Sequence, residues 1–178
     1  MAFRAARFLA IAASACGLLL VPGTAGATAE RPAAAMRGLE QGVLTDLNSL
    51  RRQHGLVALR LSTRLSAAAR QHSTEMAVQG YFSHDSYNGA SFDRRIARFY
   101  PVGKSRFWSV GENLLWSSPD VDAARALDMW ITSPEHKRNM LSSRWREIGL
   151  SAVHVYAAGG AYGGREVTIV TADFGVRR

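Results

Sequence analysis

Three stretches of this sequence carry ionisable side chains among aromatics and glycine, where loops or helix starts are expected. They are "YFSHDSYNG" with His84, "SVGENL" with Glu112 and "SPEHKRNML" with His136. Two imidazoles and one carboxylate that converge can do three things. They can hold a divalent metal with open positions, move protons on a bound substrate, or hydrogen-bond one another and lock loops. Spacing does not choose among these. Each piece alone has a plainer reading: His136 as a helix-start residue, His84 as a turn residue, Glu112 as a helix cap or a buried acceptor for backbone N–H groups.

A hydrolase would need an activated nucleophile. Ser83 and Ser86 flank His84, and a metal-bound water is a third candidate. However, the chain has no G-x-S-x-G elbow, no H-E-x-x-H and no S-x-x-K, so no motif marks such a group.

The elements around these stretches follow from hydrophobic period and caps. "LEQGVLTDLNSLRRQHG" reads as a helix with Val43, Leu44, Leu47 and Leu50 at helical spacing. His54 lies at its C-terminal end, where the dipole suits it. "LVALRLS" is a short extended link. "STRLSAAARQHSTEMAVQG" is a second helix closed by Gly80; His72 lies on its apolar stripe and reads as packed rather than ligating. Ser91 caps a short helix carrying Phe92, Ile96 and Phe99. "VGKSRFWSVGENLLWSS" reads as mostly irregular. "PDVDAARALDMWIT" starts at Pro119, and "SPEHKRNML" has Ser133 as N-cap and Pro134 at the first position. That helix start would set His136 on a rigid base, and its positive end favours a neutral ring. "REIGLSAVHVY" and "REVTIVTADFGV" form a hairpin across a glycine-rich loop, with apolar residues on both strand faces. The fold class is therefore α+β: one domain, a central antiparallel sheet with helices on both faces.

The ordered set His84, Gly89, Phe92 and Arg94, then "VGENL", then Trp130, Ser133-Pro134, His136, Asn139 and Leu141, then "EIG" resembles the CAP superfamily. That group takes in cysteine-rich secretory proteins, antigen five and pathogenesis-related 1, and the likeness is to its short bacterial, SCP-like branch. It covers residues 39–176. The resemblance implies a three-layer α-β-α sandwich with a surface cleft lined by two histidines and acids, some members binding a divalent metal there. Carried over, His84 and His136 are the family histidines and Glu112 the glutamate of "GEN". These three are the expected metal set, with zinc the expected ion. Asn113 and Asn139 are the motif asparagines and pin loops. The family's second acid falls three residues after Trp130, where this chain has Ser133; Glu135 is the nearest acid, so Ser133 and Glu135 complete the candidate cleft.

Length and composition bound the rest. The chain has 178 residues, one domain by size. Residues 1–27 have Arg4, Arg7, an apolar run from Phe8 to Val21 and an Ala25-Gly26-Ala27 ending, as in a secretory signal peptide. Cleavage is expected after Ala27, or else Ala29. Residues 28–38 read as a flexible lead-in and 39–178 as the CAP domain. Cys16, the only cysteine, sits inside the apolar run rather than after it, which argues against a lipid anchor. Its loss with the leader leaves an exported domain without disulfides, stabilised by its core. Removing two arginines leaves 20 − 14 = +6 from the chain's 22 basic and 14 acidic residues. Such a charge suits acidic wall polymers or anionic lipids. Nucleic acid is not an expected partner, since no binding motif accompanies the charge, and no segment is long enough for a stable membrane span. The expected function is a secreted binding module for a small apolar, lipid or wall-derived ligand, with Tyr81, Phe82, Trp108, Trp116 and Trp130 as candidate aromatics. A hydrolase and a structural envelope protein are the alternatives.

Overall fold

The computed structural model describes residues 27–178; the expected signal peptide, but for its last residue, lies outside the described residues. Helix α1 spans Ala27–Gln53, β1 Arg60–Leu61, α2 Thr63–Gln79, α3 Phe92–Phe99 and β2 Trp108–Ser117. Then come α4 Ala123–Ile131, α5 Pro134–Met140, β3 Glu147–Ala158, a 3-10 turn Gly160–Tyr162 and β4 Arg165–Arg177.

Three sequence expectations are corrected. Residues 28–38 are not a flexible lead-in but the start of α1, whose Ala33-Ala34-Ala35 run has the highest helix propensity. "WSVGENLLWS" is not irregular but a ten-residue strand. Its polar residues hid it, because Glu112 and Asn113 are buried beside Leu114 and Leu115 and break the apolar alternation. Finally, α4 begins at Ala123, not Pro119: Asp122 caps it by accepting from Arg125 N–H at 2.8 Å.

The sheet order is β1-β3-β4-β2, with β2–β4 and β3–β4 antiparallel. The two-residue β1 runs parallel to β3 at one edge, so the sheet is antiparallel except there. Alternation along β4 sorts the layers. Val170, Ala172, Phe174 and Val176 pack with Val43 and Leu47 of α1, Trp130 of α4 and Met140 of α5. Val167 and Ile169 face Met76 and Ala77 of α2. Leu65, Ala68, Ile96 and Tyr100 bind α2 to α3 on that same face. This is the expected three-layer sandwich. The close approach of α2 depends on Gly149, where a Cβ would lie 2.0 Å from the Leu65 carbonyl carbon. The expected caps hold at α2, which Gly80 closes at φ 68°, and at α5, where Ser133 accepts from the His136 N–H.

Candidate functional site

Strand β2 is the edge strand beside β4, and its alternation divides the site's work. Glu112, like Leu114 and Trp116, points to the α2–α3 face; Asn113, like Leu115, points to the α1–α4–α5 face. Glu112 is buried, its side chain 1 % exposed. One carboxylate oxygen accepts from His84 Nδ1 at 2.8 Å and the other from Arg95 Nη2 at 2.5 Å. A carboxylate can only accept, so the hydrogen sits on Nδ1 of His84 and its Nε2 faces outward. The His84 side chain remains half exposed, and its ring lies 6.3 Å from that of Phe92.

Asn113 works from the other face. Its Nδ2 donates to the His136 carbonyl at 3.1 Å, while Asn139 Nδ2 donates to Asn113 Oδ1 at 2.9 Å and to the Glu112 carbonyl at 3.2 Å. Trp145 Nε1 donates to Asn139 Oδ1 at 3.0 Å. The two asparagines thus pin α5 to β2, the role expected of them. Gly111 permits the fit: a Cβ there would meet Asn139 Oδ1 and Trp145 Cζ2, each at 2.8 Å. The loop carrying His84 is held from behind. His72 is fully buried and packed, as expected, and its Nε2 meets the Ser83 carbonyl at 2.9 Å.

His84 and His136 line one groove. It has two lobes: one of about 430 Å³, the other of about 410 Å³, sharing His84, Glu135 and His136. Glu112 floors the larger lobe. Ser133 lines neither lobe; it caps α5 at 3.5 Å from the His136 N–H, so its contribution is positional. Of the expected aromatics only Phe82 reaches the groove. Trp130 is wholly buried. The aromatics that do line the larger lobe are Phe92 and Trp145.

Two residues escaped the sequence reading. Arg95 is fully buried between Glu112 and, at 3.8 Å, Asp173 of β4. The motif arginine Arg94 is exposed; its neighbour bears the ion pair. The available signal was position: Arg95 falls three residues after Phe92, on the apolar stripe of α3. Asp173 likewise interrupts an apolar strand, and it pairs directly with Glu112 across the sheet. Two facing carboxylates repel. Burial and the Glu112 charge push the Asp173 carboxyl well above its ordinary range, against the pull of Arg95. For Glu112, burial acts to raise the pKa, but the His84 hydrogen bond and Arg95 outweigh it and hold it below the usual value. His136 is lowered by burial and then by His84, with Glu135 opposing. The neutral ring was expected, though from a helix dipole rather than from burial.

The expected zinc set is tested by these bonds. Both oxygens of Glu112 are engaged inside the protein, and among the described residues no group of three or more His, Cys, Asp or Glu side chains is placed to hold a metal ion. His84, Glu112 and His136 do not fit as a three-ligand set: Glu112 orients the His84 imidazole instead.

A sandwich with this groove defines a class, and sequence comparison gives it a name. The profile of the CAP, cysteine-rich secretory protein, family matches residues 44–174. The chain belongs to that family. No curated protein matches the sequence. Among solved structures, an extracellular SCP-domain protein of Bacillus anthracis aligns with TM-score 0.65 at 24 % identity, over 84 % of this chain and 43 % of that one. A cysteine-rich secretory protein of Staphylococcus aureus aligns with TM-score 0.59 at 15 % identity, over 81 % and 40 %. An outer surface protein of Borrelia burgdorferi gives 0.59 at 18 %, over 76 % and 90 %. At such identities these likenesses describe the fold. The chain spans less than half the length of the Bacillus and Staphylococcus proteins.

Proposed function

We propose that this chain is an exported, non-enzymatic binding module, whose groove takes a small apolar, lipid or wall-derived ligand. The observation that carries the reading is the groove itself: two lobes meeting at two imidazoles whose supporting groups are already satisfied. Pre-oriented polar groups in a concave, partly apolar site are what ligand sites require. Export rests on the leader at residues 1–27, and the Bacillus and Borrelia proteins are described as extracellular and outer-surface. Among the described residues no helix is long and apolar enough to cross a membrane.

The hydrolase reading has less support. Ser83 Oγ accepts from the Asp85 N–H, and Ser86 Oγ is buried with no partner. The histidine–hydroxyl contacts that do form, His72 with Tyr81 and His154 with Thr168, involve residues that do not line the groove. No base is thus paired with a nucleophile. The structural reading draws on the buried Glu112–Arg95 pair, which ties α3 to β2 whatever the groove binds. Zinc enters the binding reading through the two imidazoles alone.

The test is solvent extraction and mass spectrometry of the purified protein, followed by calorimetric titration with soluble wall fragments and with Zn²⁺. One molecule per chain, lost in both His84→Ala and His136→Ala, is expected. Binding that survives both changes defeats the proposal. Turnover of a substrate that disappears in Glu112→Gln would establish the hydrolase instead.

A further inference from the structure

Most polar groups along the larger lobe are spent within the protein. Glu112 is held by His84 and Arg95, and Asn113 and Asn139 by each other and by the α5 and β2 backbone. What remains unspent in the lining of this lobe is cationic. Arg138, near the end of α5, and Arg144, in the following loop, are exposed and line the lobe. Among the described residues neither side chain makes a hydrogen bond or ion pair; Arg144 lies over the buried Trp145 ring, 5.4 Å from its centroid. Arg146, by contrast, is spent on the carbonyls of Ser143, Arg144 and Trp145. Ser142, between the two free arginines, adds a hydroxyl to the lining. The acids of this lobe are Glu112, already paired, and Glu135, which lies at the junction. The other lobe reverses the sign: Asp85 lines it with Phe82 and Leu114, and it has no arginine or lysine.

We infer that the Arg138–Ser142–Arg144 end takes a phosphate or carboxylate group of the ligand, whose remaining part reaches the histidines. The inference deepens the binding reading and rests on it. Two guanidinium groups and a hydroxyl lining one lobe suit a phosphate or carboxylate, whose oxygens accept several charge-assisted hydrogen bonds. The opposite sign of the second lobe fixes the ligand's direction, since an anion there would face Asp85 unpaired. The occupant we favour is a soluble anionic fragment of the cell wall.

The test is a two-dimensional NMR titration of the purified protein with inorganic phosphate, and separately with citrate, at constant low ionic strength. The amide signals of Arg138, Ser142 and Arg144 are expected to shift and saturate. The exposed-site double variant Arg138→Gln, Arg144→Gln is expected to weaken both ions about tenfold while its other signals stay in place. Shifts that do not saturate, or that persist in the double variant, overturn the inference. Co-sedimentation with phosphatidylglycerol vesicles, lost in the double variant, would keep the anion site but assign its source to a lipid headgroup. The two readings fail differently. If the double variant binds wall fragments as tightly as the parent, the anion site falls and the groove stands. If phosphate binds as expected while His84→Ala and His136→Ala leave fragment binding untouched, the histidine groove falls and the anion site stands.

Discussion

Glu112 is the residue on which the site turns, because its carboxylate satisfies two partners, His84 and Arg95, from one buried position. Its removal strands Arg95, a fully buried cation. Breaking a buried pair from one side costs roughly 3–5 kcal/mol. Glu112→Gln should therefore lower unfolding free energy by that order in a denaturant titration, and should release the His84 ring. A loss near zero would mean that water reaches Arg95. Asp173 behaves in the opposite sense. Its folded pKa lies above its unfolded value of about 3.9, so the folded chain binds the proton more tightly. The stability it supplies is complete below that pH and is lost as pH rises toward the folded value, at about 1.4 kcal/mol per pH unit. Asp173→Asn should abolish that loss, so its advantage over the parent in Tm should grow as pH rises from about 3.9 toward the folded value. An advantage that shrinks over this range would show Asp173 to be ionised. Glu112, with its lowered pKa, contributes in the other window. Its stabilisation is present above about pH 4.3 and is lost as pH falls further.

At the scale of elements, the site is assembled by the way β2 and α5 lock together. Gly111→Ala puts a methyl into Asn139 and Trp145, and an overpacked contact of this kind costs typically 1–3 kcal/mol. Because that methyl pushes α5 away, thermal unfolding should fall and ligand affinity should fall with it; unchanged affinity would mean that α5 does not position His136. Arg51 of α1 supports the same region from below, donating from Nη1 to the Met140 carbonyl at 2.6 Å and the Ser142 carbonyl at 3.0 Å. Elements with a regular apolar period, α2 and the β3–β4 hairpin, were legible in the sequence, as was the α5 start through Ser133 and Pro134. Strand β2 was not, because Glu112 and Asn113 share its buried stretch with Leu114 and Leu115, which leaves no period-two hydrophobic signal. His84, Glu112 and His136 were legible as an ordered set. Arg95 and Asp173 were not, since a buried charge looks like an error in an apolar stripe until its partner is seen. The partners of Glu112, His84 and Arg95, are likewise distant in sequence.

For the whole molecule, the sandwich supplies a rigid frame that carries the two-lobed groove, and the fold alone does not specify an activity. Two of the basic residues, Arg138 and Arg144, line the larger lobe. Binding of an anionic fragment should accordingly weaken as salt rises, because exposed charges are screened over about 8–10 Å at physiological ionic strength. Apolar ligand binding should hold or strengthen. The two salt responses, read by calorimetry, separate the contributions of the lobes.

The central claim is that His84 and His136 serve one binding groove. The most direct measurement is NMR of ¹⁵N-labelled histidine rings as soluble wall fragments are added. The account predicts that the rings of His84 and His136 shift together and saturate at one fragment per chain, while those of buried His72 and of His154, which line neither lobe, remain still. Rings of His84 and His136 that do not move when fragments bind, or that move independently of each other, would contradict it.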